Sequence, residues 1–348
     1  MQCRTLGKTE LKVSNVSLGT MTFGRQNSEP ESHEQLDYAF SRGVNFIDTA
    51  ELYAVPSGPE FAGETEKIIG NWLKTKSRDD VMIASKVAGR SNMDFLRESH
   101  SETRLNKEQI TAALEGSLKR LDTDYIDVYY LHWPDRKIGL FADSFGYEHQ
   151  EDPGAIPIEE TLSILDGFQK AGKIRHIAVS NETPWGVMKY LEHSNNGVGP
   201  RPTIIQNAYS LINRLFEHGL AEIAAREDIG LAAYSPLGGG SLTGKYTNGA
   251  LPKGSRRERF PGFTTRYQSN HTAEAILKYE KLARERGISL TQLAQKFVDT
   301  RPFMTTNIIG ATTMDQLKEN IDAFEIEWDD ELEAAVNKIH RENPSPAP

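Results

Sequence analysis

Between Val16 and Phe324, short apolar or β-branched runs alternate eight times with longer amphipathic segments, and this repeat constrains the fold more than any other feature. Parallel strands need a crossover between them and, buried on both faces, read as near-continuous apolar runs. The predicted strands are Val16–Leu18, Asn45–Ile47, Val81–Ser85, Ile126–Leu131, Ile174–Val179, Thr203–Gln206, Leu231–Tyr234 and Asn307–Ile309. The predicted helices are Ser32–Arg42, Glu64–Lys74, Lys107–Arg120, Ile158–Ala171, Pro184–His193, Glu217–Arg226, Leu290–Thr300 and Met314–Ala323. Asn106 and Thr183 stand where N-caps belong, and Pro184 occupies a first helical position. Eight units without a break in composition favour one closed (β/α)8 barrel of the TIM type over an open doubly wound sheet, so residues 1–348 read as a single domain.

Three kinds of segment fall outside the repeat. Cys3–Val13, with the turn residues Leu6-Gly7-Lys8, reads as an N-terminal β-hairpin able to plug the barrel bottom. Ala273–Arg286 and Asp330–His340 read as two extra helices. Long polar loops at Gly89–Asn106, Asp135–Pro157 and Tyr246–Ser269 all come after strands, which places them on the C-terminal face, where barrels carry their binding loops.

With 348 residues, 38% of them hydrophobic, the chain can bury a core of barrel size. Its net charge of -9 disfavours nucleic acid and anionic membrane as partners and leaves a small molecule as the expected one. Cys3 is the only cysteine, so there is no internal disulfide and no cysteine-based zinc site, and no metal is expected. The opening stretch MQCRTLGKTELKVS has no apolar run of signal-peptide length and no later stretch approaches a membrane span, which makes the cytoplasm the expected compartment. A homo-oligomer stays open.

The chemistry-bearing residues sit where the apolar runs stop. Asp48 comes after Asn45-Phe46-Ile47, Lys86 after Ile83-Ala84-Ser85, His132 after Tyr129-Tyr130-Leu131, and Ser180-Asn181 after Ile177-Ala178-Val179. In a barrel these ends converge on one pocket. Taken singly, an Asp, Lys or His at a strand end serves equally as a cap or loop partner; Asp48, Tyr53, Lys86 and His132 on three consecutive strand ends, or the loops leaving them, form a constellation.

That constellation resembles the aldo-keto reductase family, in the branch that includes the potassium-channel β subunits. The motifs are Asp48-Thr49-Ala50-Glu51-Leu52-Tyr53, Lys86 after Val81–Ser85, and Leu131-His132-Trp133-Pro134, and the resemblance runs from Gly19-Thr20-Met21 to Glu319-Asn320. It implies a catalytic tetrad. Hydride addition to a carbonyl builds negative charge on oxygen, which calls for a proton donor and oriented polar groups. Tyr53 is the implied donor, with Lys86 expected to lower its pKa, Asp48 to supply the counter-charge to Lys86, and neutral His132 to aim the substrate oxygen.

No GxGxxG motif stands after a strand, so a Rossmann-type cofactor site is not supported. The resemblance implies instead a nicotinamide cofactor across the barrel mouth, bordered by Gly19, Thr20, Met21 and Asp48. Ser180, Asn181 and Gln206 match the residues that hold the carboxamide, and Tyr234, in Tyr234-Ser235-Pro236-Leu237-Gly238, matches the aromatic stacked on the nicotinamide; strand core is the alternative role for Tyr234. Gly239 and Lys245 are implied to face the pyrophosphate. The turn with Gly310, Thr312, Gln316, Glu319 and Asn320 matches the adenosine-phosphate site. Ala311 and Gln316 depart from the Lys and Arg common there, and Arg256 is the substitute cation, so NADP(H) is expected ahead of NAD(H); a solvated loop is the alternative for the 253–259 cluster. Met21 and Trp133 are expected to line an apolar substrate wall.

The expected activity is reduction of aldehydes or ketones to alcohols. One rival reading is a cofactor-binding regulatory subunit. Another is a nucleotide hydrolase, because Gly239-Gly240-Ser241-Leu242-Thr243-Gly244-Lys245 has P-loop spacing, although Tyr246 replaces the Ser or Thr that the motif requires for magnesium.

Overall fold

The apolar runs close into a ring. The computed structural model describes residues 1–140 and 146–347. After a two-stranded antiparallel hairpin, β1 (Cys3–Thr5) and β2 (Lys12–Ser14), come eight parallel strands: β3 (Val16–Gly19), β4 (Phe46–Asp48), β5 (Met82–Val87), β6 (Ile126–Leu131), β7 (Ile174–Ser180), β8 (Pro202–Ala208), β9 (Gly230–Tyr234) and β10 (Met304–Ile309). They form a closed barrel in sequence order, with β10 pairing to both β9 and β3.

Side chains alternate across the barrel wall as the two-residue strand period requires. Phe46, Ala84, Val128, Tyr130, Ala178, Ile204 and Ala232 point inward and form one core, whereas their neighbours Ile47, Ile83, Tyr129, Ile177, Ile205 and Leu231 pack outward under the helices. Leu6 and Val13 of the hairpin are fully buried within the inner core, so the hairpin is the expected plug. Gly7 permits the close approach: its φ is +53°, and a Cβ there would lie 2.6 Å from the Thr203 carbonyl oxygen.

The helices of the repeat are α1 (Glu29–Ser41), α2 (Glu64–Leu73), α3 (Lys107–Leu121), α4 (Ile158–Lys170), α5 (Pro184–Asn195), α6 (Leu220–Glu227), α9 (Leu290–Asp299) and α10 (Met314–Asp322). A one-turn α7 (Arg256–Arg259), α8 (Asn270–Glu285) and α11 (Asp330–Glu342) are additional. Asn106 and Thr183 cap α3 and α5 by accepting from the backbone N–H of Gln109 and Gly186. Three helix starts differ from expectation. Helix α8 begins at Asn270 rather than Ala273, because Ser269 caps it by accepting from the Thr272 N–H. Helix α1 begins three residues earlier than Ser32, because Glu31 accepts hydrogen bonds from the backbone N–H and hydroxyl of Ser28. Helix α6 begins at Leu220 rather than Glu217, because Gly219, at φ +104°, separates it from a short 3-10 turn at Leu215–Glu217.

The loops at Gly89–Asn106 and Tyr246–Ser269 leave strands on the expected face, as does Asp135–Pro157, of which residues 141–145 lie outside the described residues. No helix among the described residues is long and apolar enough to cross a membrane.

Candidate active site

Strand register assembles the site. Asp48, the last residue of β4, pairs with Gly19 at the end of β3, Lys86 of β5 pairs with Tyr130 of β6, and Ser180 of β7 pairs with Gln206 of β8. All the residues singled out from the sequence, except Lys86, line a single cavity of about 1130 Å³ at this end of the barrel. Lys86 lies behind the wall and is fully buried.

Its charge is closely matched. Lys86 Nζ donates to Asp48 Oδ2 and to the Thr49 carbonyl, both at 2.7 Å, and stands 4.9 Å from the centroid of the Tyr53 ring. Gln206 Nε2 donates to the other carboxylate oxygen of Asp48, at 2.7 Å. A buried carboxylate and a buried ammonium thereby satisfy each other. The Tyr53 and His132 rings meet edge to face, with centroids 5.9 Å apart, and Trp133 packs beside His132 at 4.8 Å. Gly89 lets the chain after β5 reach this wall, since a Cβ there would lie 1.9 Å from the Trp133 carbonyl oxygen.

Burial dominates the titration behaviour. It depresses the His132 pKa well below 6.5, helped by the Lys86 charge, so the imidazole is neutral. Burial also lowers Lys86, opposed by Asp48. Tyr53 is pushed well above 10.0, first by burial, then by the Asp48 and Tyr234 charges. The expected net lowering of Tyr53 beside Lys86 is therefore corrected: burial of the phenol comes first, and the Asp48 carboxylate raises it further.

The sequence model described as Aldo/keto reductase family matches residues 15–341. The chain belongs to the aldo/keto reductase family. It is 46% identical to Protein tas of Escherichia coli (strain K12), with 100% of both chains covered. It is 30% identical to a probable voltage-gated potassium channel subunit beta of Oryza sativa subsp. japonica, over 97% of each chain. It is also 28% identical to L-glyceraldehyde 3-phosphate reductase of Escherichia coli (strain K12), covering 93% of this chain and 88% of the other. Membership carries oxidoreductase chemistry, for which the family generally uses a nicotinamide cofactor.

In this aldo/keto reductase the polar groups of β7 to β9 are already cross-linked. Tyr234 OH donates to Asn181 Oδ1 at 2.7 Å, Asn181 Nδ2 donates to the His132 carbonyl at 2.9 Å, and the Ser180 hydroxyl donates to the Gln206 carbonyl at 2.8 Å. Asn181 and Ser235 hold φ of +52° and +55°, a left-handed backbone form that is uncommon outside glycine and that Asn enters more readily than most residues.

Further along, Lys245 and Arg256 line the cavity near Tyr246, and Arg257, which does not line it, lies over the Tyr246 ring; none of the three has a carboxylate partner among the described residues. Burial lowers the pKa of each, as expected of cations held together without counter-charge. The buried Ser255 Oγ, on the cavity wall, also lacks a partner. An orphaned donor among unneutralised cations fits phosphate oxygens. At the far end, α10 starts beside Gly310 and Thr312; Gln316 Oε1 accepts from the backbone N–H and hydroxyl of Thr312, and Asn320 Nδ2 donates to the Gly310 carbonyl.

The P-loop alternative is corrected by geometry. Gly238–Thr243 is a kinked 3-10 turn, with positive φ at Gly238, Gly239, Gly240 and Gly244, and the next element along the chain is the short turn Thr247–Gly249. A P-loop needs a helix at that point, because the helix N-terminus supplies its N–H groups.

The sequence pattern did not reveal several wall residues. Leu52, Met93 and Leu140 join Trp133 in an apolar cluster against Tyr53, Arg90 borders it, and Arg266 lies 5.9 Å from the Tyr234 ring centroid. Loops deliver all of them without any periodic signal; for Arg90, four residues past Lys86 in the loop that leaves β5, that position was the available clue.

Proposed function

We propose that the protein is an NADP(H)-dependent reductase of aldehydes and ketones in which Tyr53 delivers the proton. The observation that carries this reading is the Tyr53 phenol on the cavity wall, between the buried Lys86–Asp48 pair and the neutral His132 ring. The residues fit a nicotinamide dinucleotide. Ser180, Asn181 and Gln206 supply amide and hydroxyl groups for the carboxamide, Tyr234 a ring face for stacking, Lys245 and Arg256 charge for the phosphates, and Gly310, Thr312, Gln316, Glu319 and Asn320 the adenosine end. A bound reduced nicotinamide supplies the hydride.

The protein's own work is the proton and its placement. Negative charge that grows on a substrate oxygen beside Tyr53 is met by the phenolic proton, and a neutral His132 N–H directs that oxygen. A raised Tyr53 pKa keeps the donor protonated before reaction, as an acid catalyst requires. The Lys86 ammonium, within 5 Å of the ring, stabilises the tyrosinate left behind, while Asp48 keeps the lysine charged in its buried position. Leu52, Trp133, Met93 and Leu140 exclude water from the reacting carbonyl. Consistent with this chemistry, we assign the protein a small-molecule substrate and a cytoplasmic location.

The testing experiment is quenching of intrinsic fluorescence by NADPH against NADH, then reduction assays with 4-nitrobenzaldehyde and methylglyoxal. Tighter binding of NADPH and consumption of its 340 nm absorbance with either aldehyde support the reading. The likeness to a potassium channel subunit keeps a second reading, a cofactor-binding regulatory subunit, which is favoured by NADPH binding without turnover.

A further inference from the structure

The loop that carries Tyr53 is held by a buried ion pair that does not reach the cavity. Tyr53 N–H donates to the Ala50 carbonyl at 3.1 Å, so residues 50–53 form a tight turn. Glu51, inside that turn, is bonded on both sides of Val87, the residue after Lys86 and the last of the next strand. Its N–H donates to the Lys86 carbonyl at 3.2 Å, and its Oε1 accepts from the Ala88 N–H at 2.8 Å. Arg97 then grips the carboxylate with two bonds, Nη1 to Oε2 at 2.8 Å and Nη2 to Oε1 at 3.0 Å. The two side chains are 4% and 3% exposed, and neither lines the cavity.

Arg97 is itself fixed. Its Nε donates to Gln109 Oε1 at 2.9 Å, and that same oxygen accepts from the Arg104 N–H at 2.8 Å. Gln109 belongs to the capped first turn of α3. A continuous chain of hydrogen bonds thus runs from the start of α3 through Gln109, Arg97 and Glu51 to the Tyr53 turn and the strand end bearing Lys86. A bidentate guanidinium–carboxylate bond fixes direction as well as distance.

We propose that Glu51, clamped by Arg97, is a positioning residue that sets the separation of Tyr53 from Lys86. The inference rests on the proposed reductase function. A misplacement of ~1 Å in a reacting group slows chemistry about 10²-fold, so loosening this clamp slows the proton-coupled step and leaves cofactor binding alone.

The test is a stopped-flow single turnover of the enzyme–NADPH complex with saturating 4-nitrobenzaldehyde, run on the wild type, Glu51→Gln and Arg97→Lys. The rate constant reports geometry in each intact molecule, whereas the amplitude reports the fraction of molecules that are intact. Glu51→Gln is expected to slow the rate constant at least tenfold, with the amplitude per folded protein and the NADPH quenching constant within twofold of wild type. Arg97→Lys, which keeps the charge and a donor, is expected to lose less than Glu51→Gln. A smaller slowing in Glu51→Gln, or a loss confined to amplitude, overturns the proposal. If Glu51→Gln does not fold, the double variant Glu51→Gln/Arg97→Gln, whose amides pair without a lone buried charge, is judged by the same criterion. A wild type that binds NADPH and turns over no carbonyl counts against the functional reading instead.

Discussion

Lys86 Nζ lies 2.7 Å from Asp48 Oδ2, and both groups are buried beneath the phenol of Tyr53. The pair is neutral as a whole, and its parts are not separable. Asp48→Asn leaves a buried ammonium with no counter-charge, and breaking a buried pair in this way costs about 3–5 kcal/mol. Thermal or urea unfolding is expected to show Asp48→Asn and Lys86→Met each strongly destabilised, with the Asp48→Asn/Lys86→Met double variant less destabilised than the two single losses add up to.

The pH dependence of reduction is set by two opposite displacements. Tyr53 serves as an acid only below its pKa, which burial lifts above 10.0, and His132 is neutral only above its pKa, which burial drops below 6.5. The working window therefore widens at both ends. The pH profile of kcat for reduction is expected to be flat across neutrality, with no break at 6.5 and none below 10.0. A break near the ordinary histidine value would show that His132 titrates as if exposed.

The cations around Tyr246 are expected to act on cofactor affinity alone. Replacing Lys245 or Arg256 by Met should weaken NADPH binding by roughly tenfold each, with kcat at saturating cofactor within about twofold of wild type. Rising salt should weaken wild-type binding more than that of either variant. Fluorescence quenching at two ionic strengths checks both statements.

At the opposite side of the molecule, the Arg301 guanidinium beside Glu333 lowers that carboxyl from 4.5 to about 2. The stabilisation is fully present above the unfolded glutamate value and is lost as pH falls through about 2. Glu333→Gln is expected to be less stable than wild type at neutral pH, with the gap closing in acid. Urea midpoints between pH 7 and pH 3 report the difference.

The barrel was legible because its repeat is long and its inner and outer faces are both apolar, so each strand centre announces itself. The expected strand Asn307–Ile309 falls short of β10 because Thr305 and Thr306 look like loop residues; both are buried in the strand, and Asn307 Nδ2 donates to Gln295 Oε1 at 2.9 Å. The start of α1 carried its signal in Ser28 and Glu31, which the apolar spacing alone did not weigh. The tetrad residues could be found because three of them sit at or next to strand ends. Glu51 and Arg97 stand 46 residues apart on two loops, where no period or motif links them. Their pairing is a product of tertiary contact.

The central claim is that Tyr53 supplies the proton in carbonyl reduction. The most direct measurement is the single-turnover rate of 4-nitrobenzaldehyde reduction by Tyr53→Phe preloaded with NADPH, beside wild type. The ring and its contacts with Lys86 and His132 persist in that variant, and only the hydroxyl is gone. A loss of about 10²- to 10⁴-fold with unchanged NADPH quenching is the predicted result. A Tyr53→Phe rate within a few fold of wild type contradicts the account.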